Sequence, residues 1–291
     1  MNYIILDLEW DGAFYPKIGR FINQILQIGA VKLNSDFEII DTFDKTIKSS
    51  FSKRVSRRFA ELTGITKADM LNGISLDEAF IDYNDWVGTD AVTMTWSNSD
   101  IYTLIENEKN ITTQRLKIEK YLDLQKFIQG EMRLRGIELS SQISLLNAAN
   151  ALGITIDETL LHNAKADSIA SAALLKECYN AGRFNEMIVD TSDPDFFARY
   201  TFKPFFITDI NDENIDKTAF DFVCEKCEKP LRVKKNWQVH GGGFHAELFC
   251  DNCKIKYFAR ARFRKMFDCV KVKRSLYVKK PKPKKETQND L

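Results

Sequence analysis

Short stretches of apolar residues near the start of the chain predict a series of β-strands. The first covers residues 3–9 (YIILDLE), the second residues 24–33 (QILQIGAVKL) and the third residues 37–47 (FEIIDTFDKTI). The turn signal LNSD precedes the third stretch and favours an antiparallel meander. A further apolar run at residues 91–96 (AVTMTW) predicts another strand.

Helical periodicity follows these strands and continues to about residue 182. Ser75 and Glu78 form a capping-box pattern before apolar residues that recur at helical spacing. Residues 166–182 (ADSIASAALLKECYNAG) predict a helix that ends at Gly182. Strands come first, and a strand and helices then alternate. This order predicts an α/β domain with a mixed β-sheet flanked by helices.

Charge divides the chain into two parts, although the net charge of the whole is only +1. Residues 222–291 hold 19 Lys and Arg against 7 Asp and Glu, whereas the residues before them hold 23 against 34. A strongly basic end favours a polyanionic partner such as nucleic acid. The alternative is that the lysines and arginines only keep this part soluble.

Four of the six cysteines form two CxxC pairs in the basic end, Cys224/Cys227 and Cys250/Cys253, with 22 residues between the pairs. The start MNYIILDLEW is too short an apolar run and too acidic for a signal peptide. We therefore expect a cytoplasmic location, no membrane partner and reduced cysteines. The spacing of the two CxxC pairs is typical of a four-cysteine zinc ribbon that holds one structural Zn²⁺.

The boundaries between these parts follow from composition. Residues 183–221 mix turn residues with aromatic residues and are interpreted as a linker that packs partly on one domain. The lysine- and proline-rich residues 279–291 predict a disordered basic tail. The expected division is a catalytic α/β domain over 1–182, the linker, a basic zinc ribbon over 222–278, and the tail.

Asp7 and Glu9 come at the end of the first predicted strand. Side chains alternate along a strand, so the two carboxylates project from the same side, about 7 Å apart along the strand. There they can share a cation, and without one they repel each other. Alone, this pattern also fits a strand that simply ends at the surface. Asp100 follows a predicted strand in WSNSD, and His162 precedes Asp167 by five residues in HNAKADS.

Together these motifs resemble the DEDDh, or DnaQ-like, 3′-to-5′ exonucleases of the ribonuclease H-like fold. The resemblance rests on ILDLEW, ILQIGAVKL, ELTGIT, WSNSD, YLDLQKFI and HNAKADS, and it covers residues 1–182. Within the family, the chain is most similar to the Eri-type and KapD-like members, which act on RNA.

The resemblance implies a catalytic site for two divalent ions, Mg²⁺ or Mn²⁺, because the implied ligands are all oxygen atoms. The ligands would be Asp7, Glu9, Asp100 and Asp167, with Asp7 bridging both ions. His162 would take the proton from the attacking water. Hydrolysis would release nucleoside 5′-monophosphates from the 3′ end of single-stranded RNA or DNA.

Substrate contacts are also implied. Leu62, Thr63 and Gly64 match a family loop that contacts the terminal bases. Trp10 stands where many relatives have a substrate-positioning threonine, and it either stacks on a base or packs in the core. In the basic end, the alternation of basic and aromatic residues makes Arg260, Arg262 and Arg264 candidate nucleic-acid contacts.

The sequence leaves three functions open. The first is a 3′-to-5′ exoribonuclease, and the second is a DNA exonuclease of proofreading or repair type. The third is a non-catalytic nucleic-acid-binding adaptor, against which the complete set of acidic residues argues. RNA and DNA are distinguished at the 2′-hydroxyl by contacts that the sequence does not reveal.

Overall fold

The computed structural model describes residues 2–139 and 142–278, so the predicted tail at 279–291 lies outside the described residues. The chain forms two compact units, Met1–Thr201 and Phe202–Leu291. No described helix has both the length and the apolar character needed to cross a membrane.

The first unit is built on a mixed sheet with the strand order β3-β2-β1-β4-β5-β6. The first three strands pair antiparallel, β4 and β5 run parallel to β1, and β6 pairs antiparallel with β5. The predicted mixed sheet is therefore confirmed. The strands are β1 (Asn2–Tyr15), β2 (Arg20–Leu33), β3 (Ile39–Thr46), β4 (Ala91–Thr95), β5 (Lys120–Asp123) and β6 (Val189–Asp190).

Helices cover both sides of this sheet, as predicted. One core cluster joins β1 and β2 to α3 and α4, and a second joins β1 and β4 to α5 and α7. The helices are α1 (Arg57–Thr63), α2 (Lys67–Asn72), α3 (Leu76–Val87), α4 (Ser99–Asn110), α5 (Leu124–Leu134), α6 (Leu145–Ala151), α7 (Ala164–Cys178), α8 (Ala181–Met187) and α9 (Pro194–Thr201). The capping box of Ser75 and Glu78 begins α3, as its pattern predicts.

The first strand is longer than predicted. It does not end at Glu9, because the residues after it continue to pair with β2 as far as Tyr15 and Arg20. The register shifts between Glu9 and Trp10, as expected for a β-bulge. The two carboxylates therefore lie inside a long hairpin and not at a strand end.

The predicted helix to Gly182 is also corrected. α7 ends at Cys178, and Asn180 starts α8 by accepting a hydrogen bond from the backbone N–H of Arg183. A side-chain cap inside an apparently continuous helical pattern thus divides it in two. The segment 183–221, interpreted as a linker, contains α9, and the division between the two units falls within it. Phe196 of α9 is buried in the first core cluster, which explains why this aromatic segment is ordered.

The second unit contains a five-stranded antiparallel sheet with the order β11-β10-β9-β8, in which β7 pairs with β10. Two small core clusters lie against it, and one of them includes Cys224 and Cys250. The strands are β7 (Phe205–Phe206), β8 (Arg232–His240), β9 (Gly243–Cys250), β10 (Ile255–Lys265) and β11 (Val270–Tyr277).

Candidate active site

Strand β1 presents two of the candidate carboxylates on one side. Its alternate residues Ile4, Leu6 and Leu8 are buried in the first core cluster. Asp7 and Glu9 therefore project to the opposite side, as predicted from the alternation. Asp7 lies directly across from Gly29 of β2 in the strand register.

The N-terminus of α7 brings Asp167 to these carboxylates. The Asn163 side chain caps the helix by accepting from the backbone N–H of Ala166. The helix then packs directly on Gly29, where a Cβ atom would lie only 2.1 Å from the backbone nitrogen of Lys165. Ser168 donates from its hydroxyl to the carbonyl oxygen of Gly29 at 3.2 Å. Only a residue without a side chain allows this approach.

Polar contacts fix the same helix end to β2 and β3. The Gln27 side chain accepts from the backbone N–H of Ala164 at 3.3 Å and donates to Asp44 at 2.8 Å. Lys165 forms an ion pair with Asp44 at 2.9 Å. Gln27, Gly29 and Asp44 carry no signal in the sequence that marks them individually as site residues. Gln27 and Gly29 do lie inside the ILQIGAVKL motif, which resembles the second strand of the family.

The result is a group of carboxylates of the size of a metal site. One oxygen atom from each of Asp7, Glu9 and Asp167 lies within 4.8 Å of the others. Oδ1 of Asp167 is shielded from solvent and accepts no hydrogen bond from any of the described residues. Converging oxygen ligands with an unsatisfied buried acceptor fit a hard divalent cation such as Mg²⁺ or Mn²⁺.

Asp100 lies beside this group but is not one of its three converging members. It is buried in the first turn of α4, and its Oδ1 accepts from the backbone N–H of Leu8 at 3.1 Å. This bond holds α4 against the centre of β1, between the positions of Asp7 and Glu9. Repulsion from its charge is one of the causes that raise the pKa of Asp7.

The pKa values of all four carboxylates are raised. Desolvation is the largest cause for each. Repulsion from neighbouring carboxylates adds to it for Asp7, Glu9 and Asp100. The pKa of Glu9 rises to about 8, that of Asp100 to about 7 and that of Asp167 to about 6. The pKa of Asp7 lies well above its usual value. A bound cation would favour the ionised forms and remove this cost.

His162 lies just before the N-terminus of α7. It is exposed and has a left-handed backbone conformation with φ of 65°. Its charge and its backbone hydrogen bond both oppose the rise in the pKa of Asp167. The sequence placed His162 next to the helix that carries Asp167, and the structure has it there.

The predicted substrate loop forms the end of α1. Leu62 is exposed, Thr63 donates to the Phe59 carbonyl oxygen, and Gly64 ends the helix with φ of 74°. Asp11, which was not predicted from the sequence, accepts from the backbone N–H of the α1 N-cap residue Ser56 at 2.6 Å. This bond joins the start of α1, the helix that ends in the loop, to the strand that carries the carboxylates.

Trp10 packs in the core more than it faces solvent. It is partly buried and packs against the first core cluster, on the side of β1 opposite Asp7 and Glu9. Of the two roles that the sequence left open for Trp10, the structure shows the packing. A role in substrate contact stays a prediction.

The second unit contains the predicted cysteine centre. Cys224, Cys227, Cys250 and Cys253 each place a sulfur atom within 4.8 Å of the others, and none of them forms a disulfide. The sulfur atoms of Cys227 and Cys250 are 3.6 Å apart. Tetrahedral Zn²⁺ with bonds of about 2.3 Å places its sulfur ligands about 3.8 Å apart, so the four thiols fit this ion. Arg260, Arg262 and Arg264 lie at alternate positions of β10 in the same unit.

Sequence comparison identifies the first unit. The family model described as Exonuclease matches residues 4–175. The chain is 26% identical over 148 residues to DNA polymerase III PolC-type of Thermotoga petrophila. The aligned region covers 50% of this chain and 10% of the relative. The chain therefore spans about a tenth of the length of that protein.

Solved structures show the same fold. Cell-death related nuclease 4 (CRN-4) superposes with a TM-score of 0.52 and 18% identity, covering 60% of this chain and 62% of that chain. The nuclease domain of 3′hExo, described as a DEDDh family member bound to rAMP, gives a TM-score of 0.51 and 20% identity and covers 60% and 90%. The predicted ribonuclease H-like fold is confirmed. Because the matched family model covers more than half of its length, this chain belongs to the exonuclease family.

Proposed function

We propose that this chain is a metal-dependent 3′-to-5′ exonuclease that hydrolyses single-stranded nucleic acid to nucleoside 5′-monophosphates. One observation carries the proposal: oxygen atoms of Asp7, Glu9 and Asp167 converge within 4.8 Å. Residues separated by about 160 positions place mutually repelling charges together, at the cost of raised pKa values. A cation offsets that repulsion, so a metal site explains the arrangement.

The carboxylates of this chain would hold the ions and fix their positions. Asp7, Glu9 and Asp167 form the converging set, and Asp100 joins from α4. When bound, the divalent ions supply Lewis acidity that activates a water molecule and neutralises the leaving 3′-oxygen. His162 would accept the proton of the attacking water, for which its exposed position next to Asp167 is suited. Gln27 and Asp44 would keep α7 in position.

RNA is the substrate that we favour, and DNA is the alternative. The preference for RNA follows from the resemblance to Eri-type and KapD-like members, and 3′hExo is described as bound to rAMP. The alternative, DNA, is supported by the match to DNA polymerase III PolC-type. Both polymers present the same scissile bond to the carboxylates.

The test is digestion of 5′-labelled single-stranded RNA and DNA of the same sequence with Mg²⁺ or Mn²⁺. We expect successive shortening by one nucleotide from the 3′ end, faster for RNA, with 5′-monophosphates as the products. Asp7→Asn should abolish the reaction. Asp85→Asn is the matched control, because it removes an exposed carboxylate from α3 in the same unit.

Two results would contradict the proposal. If the wild-type protein leaves both polymers intact while still binding them, the chain is a nucleic-acid-binding adaptor. If Asp7→Asn and Asp85→Asn cleave equally fast, the carboxylate group is not the catalytic site.

For the second unit we propose a zinc ribbon with one structural Zn²⁺ held by Cys224, Cys227, Cys250 and Cys253. The convergence of four sulfur atoms without a disulfide supports it. In so small a unit, metal binding would contribute much of the free energy of folding.

A further inference from the structure

Strand β10 has one apolar side and one basic side. Tyr257, Ala259, Ala261 and Phe263 are buried in the two core clusters of the second unit. The intervening residues therefore project from the opposite side of the sheet. We call this side the basic face, and on β10 it consists of Lys256, Phe258, Arg260, Arg262 and Arg264.

Neighbouring strands extend the basic face with residues of the same kinds. Directly paired residues lie on the same side of a sheet. On β11, Tyr277 pairs with Phe258, and Lys273 and Lys271 pair with Arg262 and Arg264. On β7, Phe206 also pairs with Arg264. The face thus collects cations and aromatic rings from separate segments of the chain.

Negative charge on this face is small and already neutralised. Among the described residues that pair across β9, β10 and β11 on this side, Glu247 is the one acidic residue. It forms ion pairs with Lys256 at 2.6 Å and Lys235 at 3.2 Å. No carboxylate within the described ranges pairs with the three arginines of β10. Arg262 donates to the carbonyl oxygen of Gly241 at 2.9 Å, and Nε of Arg260 and Nε of Arg262 are shielded from solvent without a hydrogen-bond partner in the described part of the chain. These contacts leave the positive charges of the three arginines without a neutralising carboxylate from the described residues.

Aromatic rings lie within reach of the same partner. The rings of Phe258 and Tyr277 are nearly parallel, with an interplanar angle of 24° and centroids 5.8 Å apart. Together with His245 they line an open depression of about 210 Å³. The guanidinium of Arg262 lies 4.9 Å from the ring centroid of Phe206, whose side chain is 41% exposed.

We infer that the basic face binds single-stranded nucleic acid. Arg260, Arg262 and Arg264 repeat about every 7 Å along β10, so they can follow the phosphates of an extended strand. Phe258 and Tyr277 can stack on bases, which a strand exposes only when it is unpaired. This binding goes beyond the proposed exonuclease activity, because it requires neither the carboxylates nor cleavage.

The test measures binding by the full chain without cleavage. Asp7→Asn is used as the background, without added Mg²⁺ or Mn²⁺ and without chelator, so that metal at the cysteines is retained. Fluorescence anisotropy follows labelled oligouridylate and oligothymidylate of about 12 nucleotides, and a duplex of equal length, across a salt titration. A failure of the exonuclease proposal would leave this measurement intact.

Two pairs of substitutions separate the electrostatic and stacking contributions. Arg260→Gln with Arg264→Gln should reduce the slope of log affinity against log salt concentration by about 1.4, the value for two phosphate contacts on a single strand. Phe258→Leu with Tyr277→Leu should weaken binding about tenfold or more and leave the slope unchanged.

The control removes two exposed lysines of the same unit that lie outside its strands, by Lys203→Gln with Lys226→Gln. If this pair changes the slope as much as the arginine pair does, the binding is non-specific and the inference is wrong. Equal affinity for the duplex, unaffected by the leucine pair, would also overturn it. Arg264→Gln alone, at an exposed position, should give half the slope change and keeps the test valid if the double variant misfolds.

Discussion

Replacing Gly29 by alanine should separate the two elements that build the carboxylate group. Asp7 lies opposite Gly29 in the sheet, and Asp167 lies on the helix that packs against Gly29. The new Cβ atom would lie 2.1 Å from the backbone nitrogen of Lys165 and 2.2 Å from the carbonyl carbon of Ala164. Both are backbone atoms, so no side-chain rotation relieves the overlap.

The size of the effect follows from these distances. Non-bonded carbon atoms rest at about 3.5 to 4.0 Å, so the N-terminus of α7 must move by about 1 Å or more. Overpacking of this kind costs about 1 to 3 kcal/mol of stability. Because Asp167 moves with the helix, its separation from Asp7 and Glu9 changes by a similar amount. A misplacement of about 1 Å in a catalytic site lowers turnover about 100-fold.

The assay compares initial rates of digestion of single-stranded RNA with thermal unfolding of the same variant. Gly130→Ala is the matched control, because nothing lies within 4 Å of a Cβ atom there. Gly130 is inside α5, where alanine should raise stability by about 1 kcal/mol and leave turnover unchanged. If Gly29→Ala retains turnover within about threefold of wild type, a loss below about 0.7 kcal/mol, the packing argument is refuted.

Three further predictions concern charge and metal. Without divalent ions, the free energy of unfolding should fall as pH rises from about 4 to about 8, because the folded protein holds protons on Glu9 and Asp100 that the unfolded chain has released. Unfolding measured at several pH values with and without Mn²⁺ checks this. If Mn²⁺ leaves the dependence of the free energy of unfolding on pH unchanged, the prediction is contradicted. Asp7→Asn should raise the stability of the metal-free protein at pH 8 and lose that advantage near pH 4, where the wild-type carboxyl is protonated. Thermal unfolding at the two pH values measures this difference. If the variant is less stable than the wild type at pH 8, repulsion in the folded state is not the explanation. Cys250→Ser should remove about one zinc per chain and make the second unit sensitive to protease; elemental analysis and limited proteolysis measure both, and a folded wild-type protein free of zinc would exclude the metal.

Local patterns predicted much of the fold. The capping box before α3 and the apolar run of β4 each depend on residues within one element, and both are confirmed. The errors occurred where a local pattern was ambiguous. The strand through Asp7 continued to Tyr15, and the helical pattern after Asp167 was divided by the Asn180 cap. Pairing partners and side-chain caps decided these limits.

For the candidate site, too, local patterns predicted some features and only packing between remote segments decided the others. The sequence by itself determined which residues can carry the chemistry, because carboxylates, thiols and imidazole have fixed donor properties and their motifs were recognisable. It also determined that Asp7 and Glu9 share a side of their strand, since alternation is local. It did not indicate that Asp44 and Gln27 would hold the end of α7, or that Gly29 would make room for it.

Only the tertiary structure decided that Asp167 lies within 4.8 Å of two residues about 160 positions away. That distance depends on the register of β1 with β2 and on the close packing of α7 against Gly29. Packing distances between remote segments result from the fit of all the intervening elements. No periodicity along the chain encodes them, whereas the repulsion that a bound cation would relieve exists only at those distances.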